Sequence, residues 1–267
     1  MKRAPPVPGT ANGGELPLAA SYESYYEYLC EYYPEALTLW GRFLNTSLGV
    51  TLNRTLSLGR AQMLLDGMWI TIQISLGAVL LGLIIGSIVV TLKLSKYKIF
   101  RVIAFVYLGI IRGTPTVTQI LLVNAIFFAG FRGNRVWIGI VALGINSGAY
   151  VAEIIRAGIM SIDKGQREAG LSLGFSRFQT MRYIILPQAV KNIIPTFANE
   201  FIVLIKETAI VGFVAITDVT RVAQQIQART LQFTPILVSG VMYLILISVL
   251  TFGLSLFEKR LRASDKE

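Results

Sequence analysis

A chain of 267 residues in which 54% are hydrophobic and 15% charged is balanced for a lipid environment, which sets aside a soluble enzyme of one or two domains as the first reading. The 25 Lys and Arg against 15 Asp and Glu would suggest nucleic acid in a soluble protein, so the placement of the charges has to decide. With no His and only Cys30, the chain lacks histidine bases, histidine or cysteine metal centres and an intrachain disulfide.

The opening MKRAPPVPGT runs from basic residues into Pro and Gly, without the apolar stretch of a cleavable signal peptide, so the first span has to do the targeting. Residues 1–65 read as a tail. Pro and Gly cluster between Ala4 and Gly14, as in disordered segments, and SYESYYEYLCEYYPEALTLW follows. That second stretch has two open readings, an amphipathic helix at the outer interface or a solvated extension.

Residues 67–92 form an uncharged apolar run longer than the roughly 20 residues needed to cross a bilayer, and residues 231–257 form another, its membrane part starting near Ile236. Between them, residues 102–130 carry Arg112 and Pro115, residues 136–157 carry Glu153 and Arg156, and residues 193–216 carry Glu200, Lys206 and Glu207. Counting all five gives an all-α integral membrane protein with five transmembrane helices and a polar bundle interior, since charges at membrane depth face protein or water.

Orientation follows from the basic residues, which are retained on the cytoplasmic side. An outside amino terminus puts 14 of the 25 basic residues inside, in the stretches around Lys93 to Arg101, Arg156 to Lys191 and Lys259 to Lys266. The carboxyl terminus is then cytoplasmic, with residues 263–267 as a short tail. Charge spread over short loops also answers the nucleic-acid reading, because no basic, aromatic-interleaved domain is left to bind a strand.

Residues 159–194 are too long and polar for a simple connector. Glu168 to Gly174 reads as a short amphipathic helix ending at a glycine, and Ser176 caps a second, with Phe178, Met181, Tyr183, Ile184 and Leu186 ahead of Pro187. Two short helices joined by a glycine turn make a knob suited to docking in a partner's groove. Glu168-Ala169-Gly170, three residues, Gly174, nine residues and Ile184-Ile185-Leu186-Pro187 resemble the EAA loop of ABC importer permeases, with Gly170 where a second alanine is usual. RGTP at 112–115, NSGAYVAEIIRAGI at 146–159, KGQ at 164–166 and NEFIVLIKETAIV at 199–211 are similar to the polar amino-acid branch of that family.

The resemblance covers about residues 67–262 and implies a transmembrane domain over 66–262 with a coupling loop at 159–190. It implies a dimer of permeases, identical or homologous, in the bacterial inner membrane, with an extracytoplasmic binding protein delivering the solute. It also implies two ABC ATPase subunits that receive the knobs and hold ATP and Mg. This chain would need no cofactor or metal of its own, and it contains no G-x-x-x-x-G-K-[ST] phosphate loop.

Glu168 is the expected coupling carboxylate, with Ala169 and Gly170 allowing close approach, Gly174 setting the turn, and Leu186 and Pro187 fixing re-entry into the membrane. Asn146, Tyr150 and Glu153 are spaced i, i+4 and i+7 and so share one helix face. They suit an amino acid's ammonium and polar groups, while the other reading pairs Glu153 with Arg156. Arg112 and Thr114, in a helix broken at Pro115, suit a carboxylate, with a snorkelling arginine, an Arg112–Glu200 pair or a plain hinge as the alternatives. Glu200, Lys206 and Glu207 read as a gate or ion-pair network. The rival functions are import of another small solute, such as an opine, cystine or an amino-acid derivative, and a sensor or scaffold that docks an ATPase without transport.

Overall fold

The computed structural model describes residues 58–263, so the expectations for the tail through residue 57 and for residues 264–267 lie outside the described residues. From Gln62 onward the described residues form one compact unit, and every regular element among them is helical. Helix α1 (Leu58–Lys93) has 36 residues, a length of about 54 Å at 1.5 Å per residue. Helices α2 (Lys98–Gly113) and α3 (Thr116–Phe127) follow. Residues 102–130 are therefore two helices instead of one, bent by 112° at the break. Thr114 and Pro115 adopt extended backbone there, because a residue preceding proline is disfavoured in the α region.

Helix α4 (Val136–Met160) leads into the expected knob, made of α5 (Lys164–Ser172) and the single turn α6 (Arg177–Thr180). A π turn at Met181–Ile185 joins α6 to α7 (Leu186–Glu207), so Pro187 stands at the start of a new helix. A 3-10 segment (Thr208–Val214), α8 (Val219–Thr230) and α9 (Thr234–Ala263) complete the described chain.

Among the described residues, three helices are long and apolar enough to cross a membrane: residues 59–93, 136–160 and 234–258; counting bent α2 and α3 as one span gives four. The expected span over 193–216 is divided between α7 and the 3-10 segment. Glu200, Lys206 and Glu207 lower its hydropathy, and it is absent from that group.

Helix α4 is central. One apolar cluster joins Ile74 and Ala78 of α1, Ile120 of α3, Leu143 of α4, Leu204 of α7 and Val211. A second joins Val89, Ala104 and Leu108 to Ala149 and Ala152. Within its most apolar window α4 is 61% buried, against 11% for α9, which presents Leu244, Val249 and Phe252 outward. Small residues let α1 and α4 approach. A Cβ on Gly86 would stand 2.7 Å from Val151 Cγ1 and 2.9 Å from the Ala152 nitrogen, and one on Gly144 would stand 2.7 Å from Leu81 Cδ2.

Candidate functional site

A cavity of about 600 Å³ lies between the second half of α4 and the middle of α7, reached by the end of α2. Arg112 contributes from α2. Tyr150, Glu153, Ile154, Ala157 and Gly158 contribute from α4, with Ser161 just after it, and Asn192, Thr196, Asn199, Glu200 and Val203 contribute from α7.

The expected solute residues divide on this geometry. Arg112, Tyr150 and Glu153 come together in the wall, with the Arg112 guanidinium carbon 6.0 Å from the Tyr150 ring centroid. That distance is within cation–π range. Asn146 is absent from the cavity wall. It is 2% exposed, it donates through Nδ2 to Gln119 Oε1 at 2.9 Å, and its Oδ1 is buried with no partner in the structure. Thr114 is also absent from the wall; its hydroxyl donates to the Ile110 carbonyl and receives a bond from Gln119. Glu153 accepts from Lys93 at the end of α1 and, at 2.9 Å, from Arg156 one turn further along α4.

Glu200 faces the same cavity and accepts a 3.3 Å hydrogen bond from Ser147, which ties α7 to α4. Both salt bridges found among the described residues belong to Glu153, so Glu200, Lys206 and Glu207 form no ion pair here and Arg112 does not bridge to Glu200. Lys206 is exposed and Glu207 half-buried.

The knob takes its shape from local chemistry. Asp163 caps α5 by accepting from the Gly165 N–H at 2.6 Å, and the helix ends in a Schellman motif. There the Phe175 N–H donates to the Gly170 carbonyl at 3.1 Å and the Gly174 N–H to the Leu171 carbonyl at 3.0 Å. Gly174 has φ +85°, a conformation glycine adopts without a steric penalty. Ser176 and Gln179 form a reciprocal capping box at the start of α6. Gly170 is buried where its missing Cβ would stand 2.7 Å from Ile184 Cδ1 and 2.8 Å from Thr180 Cγ2, so the two knob helices close on each other there.

Outside that contact the knob is open. Glu168 and Ala169 are exposed, as are Leu173 at 77% and Phe178 at 72%, and Glu168 pairs with no basic residue among those described. Pro187 has no N–H for the Tyr183 carbonyl, and Leu186 is partly exposed beside it.

Several contributors were not singled out from the sequence. Gln188 Nε2 donates to the Ile184 carbonyl at 2.8 Å and lies 3.4 Å from Gln166 of the knob. Asn192 Nδ2 donates to Ser161 Oγ at 2.9 Å. Position 188 marks the start of a register of 188, 192, 196 and 199, which places one polar face of α7 along the line from knob to cavity. Asp218, between the 3-10 segment and α8, caps α8 through the Thr220 and Arg221 N–H groups and accepts from Tyr243 at 3.3 Å. Burial pushes its carboxyl above the usual range against those hydrogen bonds. An acidic residue just before a helix marks a cap in a sequence, but nothing local announces its partner on α9.

A bundle of long apolar helices with an open cavity walled by charged and polar side chains and an exposed two-helix knob defines the class: a multi-pass membrane component of a transport system. The chain belongs to the family of binding-protein-dependent transport system inner membrane components, whose model matches residues 78–263. It is 41% identical over 208 residues to the arginine transport system permease protein of Bacillus subtilis (strain 168), covering 76% of this chain and 94% of that one. It is 36% identical over 204 residues to the glutamine transport system permease protein of Escherichia coli (strain K12), covering 75% and 93%. Among solved structures, an amino acid ABC transporter crystallised with histidines is 40% identical, with a TM-score of 0.72 over 76% of this chain and 96% of that chain. An inward-facing methionine ABC transporter, at 20% identity and TM-score 0.68 over 77% and 99%, shares the fold.

Proposed function

We propose that this chain is the permease subunit of an ATP-driven importer of polar amino acids, forming the pathway by alternating access while a separate ABC ATPase hydrolyses ATP. The observation that carries the reading is the line of contacts from the exposed knob, through α7, to the cavity holding Arg112, Tyr150, Glu153 and Glu200. Relatives named for arginine and glutamine transport supply the substrate class.

In this reading residues 66–262 are the transmembrane domain, with α7 as the fifth span, the amino terminus outside and the carboxyl terminus inside. The knob is then cytoplasmic. Glu168 meets a basic group of the ATPase, Ala169 and Gly170 allow close approach, Gly174 sets the turn, and Leu186 and Pro187 direct α7 into the membrane. Two ATPase subunits hold ATP and Mg, a second permease subunit completes the pathway in the bacterial inner membrane, and an extracytoplasmic binding protein delivers the solute.

At the cavity Arg112 takes the solute carboxylate beside the Tyr150 face. Glu200, whose nearest donor is a serine hydroxyl, is the carboxylate open to an ammonium group. Glu153, already held by Lys93 and Arg156, ties α1 to α4 at the cavity wall. Asn146 and Thr114 support the wall from behind. Glu200, Lys206 and Glu207 serve as a gate along α7 without pairing among themselves.

The test is ATP-dependent uptake by vesicles containing the chain with its ATPase and binding protein, across radiolabelled arginine, glutamine, glutamate, histidine, cystine and an opine. One or a few of the polar amino acids accumulate, and Glu153→Gln lowers their uptake. Accumulation of cystine or the opine alone moves the assignment to another small solute. ATP hydrolysis by an intact complex without accumulation of any solute leaves the sensor or scaffold reading.

A further inference from the structure

The break between α2 and α3 exposes carbonyl groups that a continuous helix would satisfy. Pro115 has no N–H, so the Ile111 carbonyl four residues earlier loses its helical donor. Thr114, extended at φ −123° and ψ 147°, ends α2 with its own carbonyl outside the ladder. Unpaired carbonyls are costly at membrane depth. Gln119, one turn into α3 and 8% exposed, meets both: its Nε2 donates to the Ile111 carbonyl at 2.7 Å and to the Thr114 carbonyl at 3.0 Å, with Thr114 Oγ1 at 2.8 Å. Its Oε1 is held in turn from α4 by Asn146 Nδ2.

The two carbonyls gripped by Gln119 flank Arg112 in the chain, and Arg112 reaches the cavity over Tyr150. We infer that Gln119 is a positioning residue for solute binding: anchored by Asn146, it fixes the broken end of α2 so that Arg112 meets the carboxylate of the transported amino acid. The inference rests on the solute role of Arg112 given above. It also accounts for a buried amide pair standing behind the cavity wall instead of in it. Gln119 never touches the solute; it acts through the backbone on either side of the arginine.

The experiment is a saturation curve for ATP-dependent uptake of whichever of radiolabelled arginine, glutamine, glutamate or histidine the complete complex accumulates, comparing wild type, Arg112→Gln, Gln119→Leu, Asn146→Ala and the Arg112→Gln/Gln119→Leu double variant. Lost uniform binding raises the half-saturating concentration more than it lowers the maximal rate, and a change of about tenfold for Gln119→Leu is expected. Asn146→Ala shifts it in the same direction by less, and the double variant is no worse than Arg112→Gln, because both changes remove one interaction. The inference is overturned if Arg112→Gln raises the half-saturating concentration while Gln119→Leu and Asn146→Ala do not. It is equally overturned if the effects of Arg112→Gln and Gln119→Leu multiply in the double variant. An unchanged value in Arg112→Gln instead refutes the solute role of Arg112, and this inference with it. Should Gln119→Leu fail to assemble, Asn146→Ala alone and combined with Arg112→Gln decides by the same criteria.

Discussion

Glu153 lines the cavity, yet its two oxygens already accept from Lys93 and Arg156. A carboxylate held from both sides by charge-assisted hydrogen bonds is a fastener first. The glycines of α1 and α4 show the same dependence on neighbours. Gly86→Val places methyl groups into the Val151 side chain and Ala152 backbone, and overpacking of that kind costs about 1–3 kcal/mol. Thermal unfolding of the detergent-solubilised protein is expected to shift down for Gly86→Val. Gly109→Val, where a Cβ meets nothing within 4 Å, is expected to leave it nearly unchanged. The i, i+4, i+7 spacing of Asn146, Tyr150 and Glu153 correctly put three polar residues on one face of α4. It did not reveal that α3 covers Asn146, because periodicity gives a direction around a helix and says nothing of what lies in that direction.

At the scale of elements, α7 joins the knob to the cavity as one helix. Gly158 crosses it with no room for a methyl, since a Cβ there would stand 2.3 Å from Ile193 Cγ1, and the Asn192–Ser161 hydrogen bond lies beside that crossing. In the proposed coupling, a displacement of the knob reaches α4 and the cavity through α7. Asn192→Ala is expected to lower the number of solute molecules moved per ATP hydrolysed several-fold, measured as uptake and phosphate release in the same vesicles; an unchanged ratio removes Asn192 from the coupling route.

The knob was the most legible element, because caps and a glycine turn are local signals. Ser176 and Gly174 act within four residues of themselves, and the equally local Asp163 and Gln179 caps were not singled out from the sequence. Pro115 marked a disturbance in the second expected span without giving its size. The carbonyls freed at the 112° break are met by Gln119, whose own side-chain oxygen is held by Asn146, 27 residues further along the chain.

For the whole molecule, hydropathy identifies helices that face lipid and understates those that line a polar interior. α9 is surrounded by little protein and is easily read, whereas α7 carries Glu200 and Asn199 toward the cavity and loses apolar score for doing so. The family placement and the shared fold rest on about three quarters of the chain. In the proposed mechanism the exposed knob transmits ATP hydrolysis to the cavity. Its most direct test is a paired measurement of ATPase retention and ATP-driven amino-acid uptake in vesicles carrying the wild-type chain or Phe178→Asp, a change on a side chain that is 72% exposed and outside the core. Loss of both retained ATPase and uptake, with the variant folded as wild type, is the expected result. Wild-type ATPase retention and uptake with Phe178→Asp, or uptake without bound ATPase, would rule out transmission through this face of the knob.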